Sequence, residues 1–339
     1  MSATSPSATH TPGTASQSRL LNYALVSGHG LVNHAIRSAL PSLIPLIPNY
    51  TEAQQALLLS AFFPGYILTQ LPGGAATQRW GGKLVSTVNL WSNAALFLLT
   101  PLAARHAGPV GVAAVFAALG LSQGSYVPSS SVMIKAWLPA GPWRPWALRA
   151  MELGQRIGPL VAAWSVPVMT SRWGWASVPR LYGGLSLLFT LMWQMGASDG
   201  PSAASGAAAM SKPKADPVQW AVFRLAPVQA CIWSHFASNN TIAVMSAWSP
   251  TYFVNHLRCT PTQAGALLAI PPLVQNVGNV AVALLENGLV AREVPLLTVR
   301  RGMTAVGSTI QAGYAAETRR PGFGVDPFAV CKCTLNLHG

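Results

Sequence analysis

The chain has 339 residues, of which only 9% are charged and 51% are hydrophobic, and its mean hydropathy is +0.36. An average globular protein has about 25% charged residues, so the composition excludes an ordinary soluble protein. High hydrophobicity also excludes intrinsic disorder of the whole chain. The four cysteines form neither a disulfide framework nor a zinc-binding pattern. We therefore predict an integral membrane protein.

Apolar blocks separated by short polar segments follow one another along the chain, and most are long enough to cross a bilayer as helices. Their content of Leu, Ala, Val and Gly, with prolines inside, favours membrane helices over strands. The predicted class is therefore all-α and polytopic. The blocks are Leu20–Pro48, Ala53–Leu71, Leu84–Ala104, Pro109–Met133, Ala147–Thr170, Ser177–Met195, Val218–Val254, Gln263–Val290 and the shorter Gly302–Ala316.

A polar segment divides these blocks into two groups. Residues 199–217 are rich in Ser, Ala and Gly and poor in large apolar residues, which is typical of a flexible linker. The predicted order is a disordered N-terminus (1–19), a six-helix bundle (20–198), a cytoplasmic linker (199–217), a partial second bundle (218–316) and a tail (317–339).

Basic residues predict the orientation and account for the net charge of +13. With the N-terminus in the cytoplasm, ten lysines and arginines fall in cytoplasmic loops and four in the opposite loops, as the positive-inside rule requires. The charge therefore gives no reason to predict nucleic-acid binding, which needs a clustered basic face. The cytoplasmic set is Arg79, Lys83, Lys135, Arg144, Arg149, Lys212, Lys214, Arg292, Arg300 and Arg301; the opposite set is Arg105, Arg172, Arg180 and Arg258.

Two strings of residues stand out: Phe-Phe-Pro-Gly-Tyr-Ile-Leu-Thr-Gln-Leu-Pro-Gly-Gly at 62–74, and Trp-Ser-Pro-Thr-Tyr-Phe at 248–253. Both resemble motifs of the anion:cation symporter family of the major facilitator superfamily. The resemblance covers about residues 37–313. It implies the major facilitator fold, with about eight to nine of its twelve helices present, as a six-helix N-terminal bundle and an incomplete C-terminal bundle.

The chain departs from the family pattern at several charged positions. In the fourth helix the family has an arginine and a glutamate inside the membrane, where this chain has Phe116 and Gln123. The glutamate is implicated in proton coupling in the family, so coupling by that route is in doubt. Gln78 and Asn287 replace acidic residues in two loops, and residues 317–339 have no counterpart.

Polar and charged residues inside the predicted helices are the candidate site residues, because such residues are costly in a membrane. The substrate-binding candidates are Arg37, Arg156, Tyr66, Gln123 and Asn239; the coupling candidates are Glu152 and His235. By the resemblance, Arg37 matches an arginine that contacts anionic substrates.

Several of these assignments have a structural alternative. Arg37 lies at a cytoplasmic boundary if the first helix begins after it. Glu152 and Arg156 are one turn apart and suit a structural ion pair equally well, and His235 is more often a satisfied histidine within a bundle. Gly154 and Gly158 fit helix packing better than substrate binding.

The predicted function is secondary active transport of organic or inorganic anions by alternating access, with a proton or sodium as possible coupling ion. The other hypothesis is a non-transporting truncated fragment, suggested by the incomplete second bundle. We find no catalytic motif and expect neither enzyme activity, a cofactor nor a metal site. The expected partners are a small anionic substrate and the lipid bilayer, in a plastid envelope, plasma membrane or vesicle.

Overall fold

The computed structural model describes residues 12–138, 144–200 and 220–317, and the regular elements in these ranges are all helical. The predicted all-α class is confirmed. The helices are α1 (Pro12–Leu43), α2 (Glu52–Trp80), α3 (Gly82–Gln123), α4 (Tyr126–Trp137), α5 (Arg144–Trp173), α6 (Ser177–Gly196), α7 (Ala226–Thr251), α8 (Pro261–Val290) and α9 (Leu296–Glu317), with short helical turns at Ile44–Leu46, Trp220–Arg224 and Tyr252–His256.

Helix α3 contains two of the predicted spans, because the chain reverses inside it at Gly108. This residue has φ 57° and ψ −147°, which a residue with a Cβ adopts only at a cost. Pro109 follows and disfavours a helical conformation at the residue before it. The arm after Gly108 continues into α4 and gives the fourth predicted span.

The N-terminal residues differ from the prediction. Helix α1 begins at Pro12, so residues 12–19 are helical rather than disordered. Proline suits the first turn of a helix, where its missing N–H would have no partner. Residues 1–11 lie outside the described part of the chain.

The chain divides into two compact units, Met1–Ala269 and Ile270–Gly339. In the first unit α1 packs most extensively on α5, α2 on α3, and α3 on α6. In the second, Arg300 Nε donates to Glu286 Oε1 at 3.0 Å and so connects α9 with α8. The predicted linker and tail boundaries stay predictions, because 201–219 and 318–339 lie outside the described residues.

The first unit has two apolar clusters with a polar layer between them. Along α1, Leu25 belongs to one cluster and Ile36 to the other, with buried His29 and Asn33 in between. The same order recurs along α3, where fully buried Asn93 lies between the clusters. Buried polar side chains must find partners, so this layer is where a site is to be sought.

In the part of the chain that the structure describes, three segments are long and apolar enough to cross a membrane by length and composition: α2, the stretch Gly82–Trp137 formed by α3 and α4, and α8. Helices α1 and α5 carry polar and ionisable residues within their length, including His29, Asn33, Arg37 and Glu152, which lower their mean hydropathy. Residues of this kind inside a span mark the interior of a bundle or a water-filled cavity.

Asp199 lies at the start of the predicted flexible linker, but the structure shows it bound to the helical unit. Its Oδ1 accepts a hydrogen bond from the backbone N–H of Lys83 at 2.7 Å, in the first turn of α3. The preceding residue is fixed as well, since Ser198 N donates to Asn22 Oδ1 at 3.0 Å and Ser198 O accepts from Trp137 Nε1 at 2.9 Å. Asp199 thus caps a helix distant in sequence.

We expect Asp199→Ala to lower the free energy of unfolding by about 1 kcal/mol, the usual contribution of a capping side chain. Asp199→Asn keeps an oxygen acceptor and is the matched control. Thermal unfolding of the purified protein in detergent measures both. An alanine variant as stable as wild type would contradict the capping role.

Candidate functional site

The polar layer is a continuous hydrogen-bonded network that joins α1 to both arms of α3. Asn93 is at its centre: Nδ2 donates to Asn33 Oδ1 at 3.0 Å and to Asn89 Oδ1 at 3.3 Å, and its Oδ1 accepts from Gln123 Nε2 at 3.2 Å. His29 Nε2 lies 3.0 Å from Asn89 Oδ1. The network contains no carboxylate or permanently charged group among these five side chains, and all of them are buried.

The partners define which nitrogen of His29 carries the proton. Asn89 Nδ2 donates to the carbonyl oxygen of Ser122 at 3.0 Å, so the Oδ1 of the same amide is the acceptor on its other side. An acceptor requires a donor, and His29 Nε2 therefore carries hydrogen. The His29 ring also makes an edge contact with Tyr126, with 4.8 Å between the ring centroids.

Arg37 lies one turn beyond Asn33 on α1, and its side chain lies against α2. The guanidinium carbon is 4.5 Å from the ring centroid of Tyr66 and 5.5 Å from that of Phe62. Among the described residues Arg37 has no carboxylate within ion-pair distance and no hydrogen-bond partner. Two predicted site residues, Arg37 and Tyr66, are thus brought together, and Arg37 is only partly buried.

His34 is the ionisable neighbour of Arg37 on the same helix. Its Nδ1 lies 3.0 Å from the carbonyl oxygen of Gly30, which can only accept, so Nδ1 carries hydrogen and Nε2 of the neutral ring is bare. The ring meets Tyr126 at 5.2 Å between centroids. The Tyr126 ring therefore contacts both histidines of α1 and is itself almost completely buried.

Glu152 and Arg156 form the ion pair that their spacing predicts, with 3.8 Å between Oε2 and Nη2. The side chains of Glu152 and Arg156 are 35% and 46% exposed, so this ion pair is not buried inside the helical unit. Arg156 lies two turns before Ala163, whose backbone packs against Gly265 of α8. Residues seven apart share a helix face, which places Arg156 on the face of α5 that meets the first turns of α8 at Gly265.

The family's charged positions in the fourth helix are occupied by neutral, buried side chains. Phe116 is fully buried in an apolar cluster, and Gln123 is fully buried in the polar network. Gln123 uses its amide N–H to reach Asn93, while its Oε1 is buried without a hydrogen-bond partner among the described residues. Gln123 therefore keeps the hydrogen bonding of that position but not its charge.

Two predicted site residues cannot be placed at the level of side chains. The backbone of His235 and Asn239 belongs to α7, but their side chains lie outside the described residues. Their proposed roles stay predictions.

The two glycines of α5 lie where α5 meets α1. A Cβ on Gly154 would strike the carbonyl of Ser27, and one on Gly158 would press on Ala35 and Leu31. The predicted packing role of both is confirmed.

Sequence reasoning missed most of the polar layer, namely His29, Asn33, His34, Asn89, Asn93 and Tyr126. A signal was present, because His29, Asn33 and Arg37 are four residues apart, as are Asn89 and Asn93. Such spacing puts polar groups on one helix face. The spacing does not reveal which other helices those faces contact.

Comparison with known proteins places the chain in a family. The model of the Major Facilitator Superfamily matches residues 26–313. The chain is 29% identical over 272 residues to a probable chloroplastic anion transporter 4 of rice (Oryza sativa subsp. japonica), covering 76% of this chain and 45% of that protein. It is 30% identical over 273 residues to a chloroplastic ascorbate transporter of Arabidopsis thaliana, covering 76% of this chain and 50% of the relative.

A solved structure agrees with the fold. A bacterial homolog of the human lysosomal transporter Spinster, in an inward-facing and unoccupied conformation, superposes with a TM-score of 0.59 at 15% identity. The match covers 84% of this chain and 64% of the other. The chain spans about half the length of the curated relatives it matches.

The relatives confirm the resemblance to anion transporters of the anion:cation symporter family, and the fold and composition confirm an integral membrane protein. The family match extends from α1 to α9 and includes both motif strings on which the resemblance rests. The chain belongs to the Major Facilitator Superfamily.

Proposed function

We propose that this protein is a secondary transporter of small organic or inorganic anions. The observation that carries the proposal is Arg37: a guanidinium inside a predicted membrane helix, held against Tyr66 and Phe62, with no anionic partner among the described residues. A charge in this setting is costly unless it is paired. A substrate anion is the partner that would remove that cost.

The surrounding residues give the anion site its shape in this proposal. Tyr66 holds the guanidinium by cation–π contact and so restricts where the anion charge can sit. The neutral network through Gln123 and Asn93 fixes α1 without offering a competing negative charge. Arg156 is a second cation on the α5 face, partly neutralised by Glu152, and is proposed to assist; Asn239 remains a candidate cavity residue.

Transport by this fold moves one group of helices against another around a central site. The ascorbate transporter among the relatives is named for an organic anion, and we choose the probes accordingly. Ascorbate, glutamate and phosphate cover a sugar-like anion, an amino acid and an inorganic anion. No nucleotide or metal is required by this proposal, since the driving force comes from ion gradients.

Uptake of these three labelled anions into proteoliposomes tests the proposal. We expect wild-type protein to take up at least one of them, and Arg37→Gln to reduce its affinity by at least about 30-fold, as loss of one partner of a buried charge pair does. Arg180→Gln, at an exposed arginine near the start of α6, is the matched control and should leave uptake unchanged.

Two outcomes would contradict the assignment. Equal uptake by wild type and Arg37→Gln would remove Arg37 from the site. No uptake of any anion by wild-type protein would favour the other hypothesis, a membrane protein that keeps the fold without transporting.

A further inference from the structure

The anion site has an ionisable neighbour whose role is not explained by packing. His34 precedes Arg37 by three residues on α1, a spacing at which side chains lie side by side on one face, and the two groups interact electrostatically. His34 Nδ1 is engaged by Gly30 O, and Nε2 has no hydrogen-bond partner among the described residues. Nε2 is therefore a free proton acceptor beside the unpaired guanidinium.

Resting on the function proposed above, we propose that His34 is the proton-coupling group of this transporter. The anion binds at Arg37, and one proton binds at His34 Nε2 in the same step. The proton comes from the aqueous phase on one side and is released with the anion on the other, and no covalent bond to carbon, nitrogen or oxygen of the anion forms or breaks.

The physical reason is the repulsion between two neighbouring cations in a poorly solvated space. Without an anion, the Arg37 guanidinium disfavours a proton on His34, because like charges repel strongly where the dielectric is low. An anion beside Arg37 attracts both positive charges and removes that penalty. Proton and anion then strengthen each other's binding by the same factor, as linkage requires.

The other titratable and charged groups around His34 do not replace it. His29 on α1 donates from Nε2 to Asn89 in the network and precedes Arg37 by eight residues, which is about two turns of the helix. Tyr126 of α4 meets the His34 ring, and Tyr66 of α2 and Glu152 of α5 lie within electrostatic range of Tyr126. Glu152 is paired with Arg156. Among the described groups, His34 is thus the one that has a bare acceptor nitrogen and lies one turn from Arg37 on the same helix.

Packing around His34 gives it a defined position rather than a mobile one. A Cβ on Gly158 of α5 would lie 3.0 Å from His34 Cβ, so the two helices approach closely at this level. The Tyr126 ring covers one edge of the imidazole. The residue as a whole is only partly buried.

The test uses whichever of ascorbate, glutamate and phosphate binds most tightly, and measures its binding to the full chain in detergent from about pH 4 to about pH 8, a range that includes the ordinary titration of histidine. We expect wild-type affinity to rise as the pH falls, by about 5- to 100-fold, the usual range of a coupling between two sites. His34→Gln replaces the imidazole by a side chain that cannot titrate, and its affinity should be independent of pH. Protonation of the anion itself changes the affinity of both proteins equally, so the difference between wild type and His34→Gln at each pH reports the protein's contribution alone.

His106→Gln, at an exposed histidine outside the site, is the matched control and should behave as wild type. A second measurement needs no variant: wild-type protein in weakly buffered solution should take up protons when the anion is added, by more than the anion alone accounts for. If His34→Gln does not fold, His34→Asn and this proton count decide the question.

Each outcome separates this inference from the proposed function. Two results would overturn the role of His34 and leave anion transport standing. One is that wild type binds the anion without taking up protons, and the other is that binding by His34→Gln depends on pH as binding by wild type does. Loss of pH dependence in Glu152→Gln but not in His34→Gln would assign coupling to Glu152 instead. Absence of binding and uptake of all three anions by wild type would overturn both proposals.

Discussion

Gly154→Ala is expected to lower the free energy of unfolding of the helical unit by about 3 kcal/mol, the upper part of the range for overpacking. Helices α1 and α5 touch through their backbones here: Gly154 N donates to Ser27 Oγ at 3.0 Å, and an added Cβ would strike the Ser27 carbonyl and lie 2.7 Å from Leu31 N. Backbone atoms cannot turn aside as a side chain can. The methyl group therefore has to push the two helices apart.

The consequence reaches the site because α1 carries Arg37 and His34. A shift of α1 away from α5 moves both residues relative to Tyr126 on α4 and Tyr66 on α2. Thermal unfolding in detergent measures the stability change, and anion binding by the folded fraction measures the change at the site. We expect both to be impaired.

Gly184→Ala is the matched control, since a Cβ on this exposed glycine of α6 meets nothing within 4 Å. Alanine there should be neutral or stabilise by up to about 1 kcal/mol through helix propensity. Equal melting temperatures for Gly154→Ala and Gly184→Ala would show that the α1–α5 contact is looser than described.

Asn93→Leu is the second substitution with a large expected effect, a loss of about 2–5 kcal/mol of stability. Leucine has a similar size, so the change removes hydrogen bonds with little change in volume. Three partners lose a bond at once: Asn33 Oδ1, Asn89 Oδ1 and Gln123 Nε2. Gln123 Oε1 already has no hydrogen-bond partner among the described residues, so the substitution leaves the whole Gln123 amide without the bond that it makes in the wild type.

The matched control is Ser92→Leu on the same helix. Ser92 is half-buried and its side chain makes no hydrogen bond in the described part of the chain, so leucine should be tolerated there. Thermal unfolding of the two variants gives the comparison. If Asn93→Leu is as stable as Ser92→Leu, the network does not contribute measurably to holding α1 against α3, and its role in positioning Arg37 is refuted.

The order of helices follows from local sequence properties, which is why the sequence predicts it well. The predicted blocks correspond to helices α1–α9, with two of them in the arms of α3. Apolar length and the punctuation by glycine and proline are enough for this, because a membrane permits few alternatives to a helix. The exceptions are at element ends: α1 begins at Pro12, and Asp199 caps α3.

The site was only partly predictable. Arg37 and Gln123 were found because they are polar residues at positions of a known pattern, and the Glu152–Arg156 pair because i, i+4 neighbours meet on any helix. The Asn93 network and the meeting of His34 with Tyr126 join residues about 60 and 90 positions apart in the chain. Such contacts have no local signature.

The sequence by itself determined that this is a membrane protein, that it is helical and to which superfamily it belongs. These properties depend on composition, on the length of apolar blocks and on short motif strings. The tertiary structure alone decided which polar faces meet. That choice depends on close approach of backbones at glycines such as Gly154 and on the pairing of buried amides such as Asn93. Those contacts place Arg37 against Tyr66 and His34 against Tyr126.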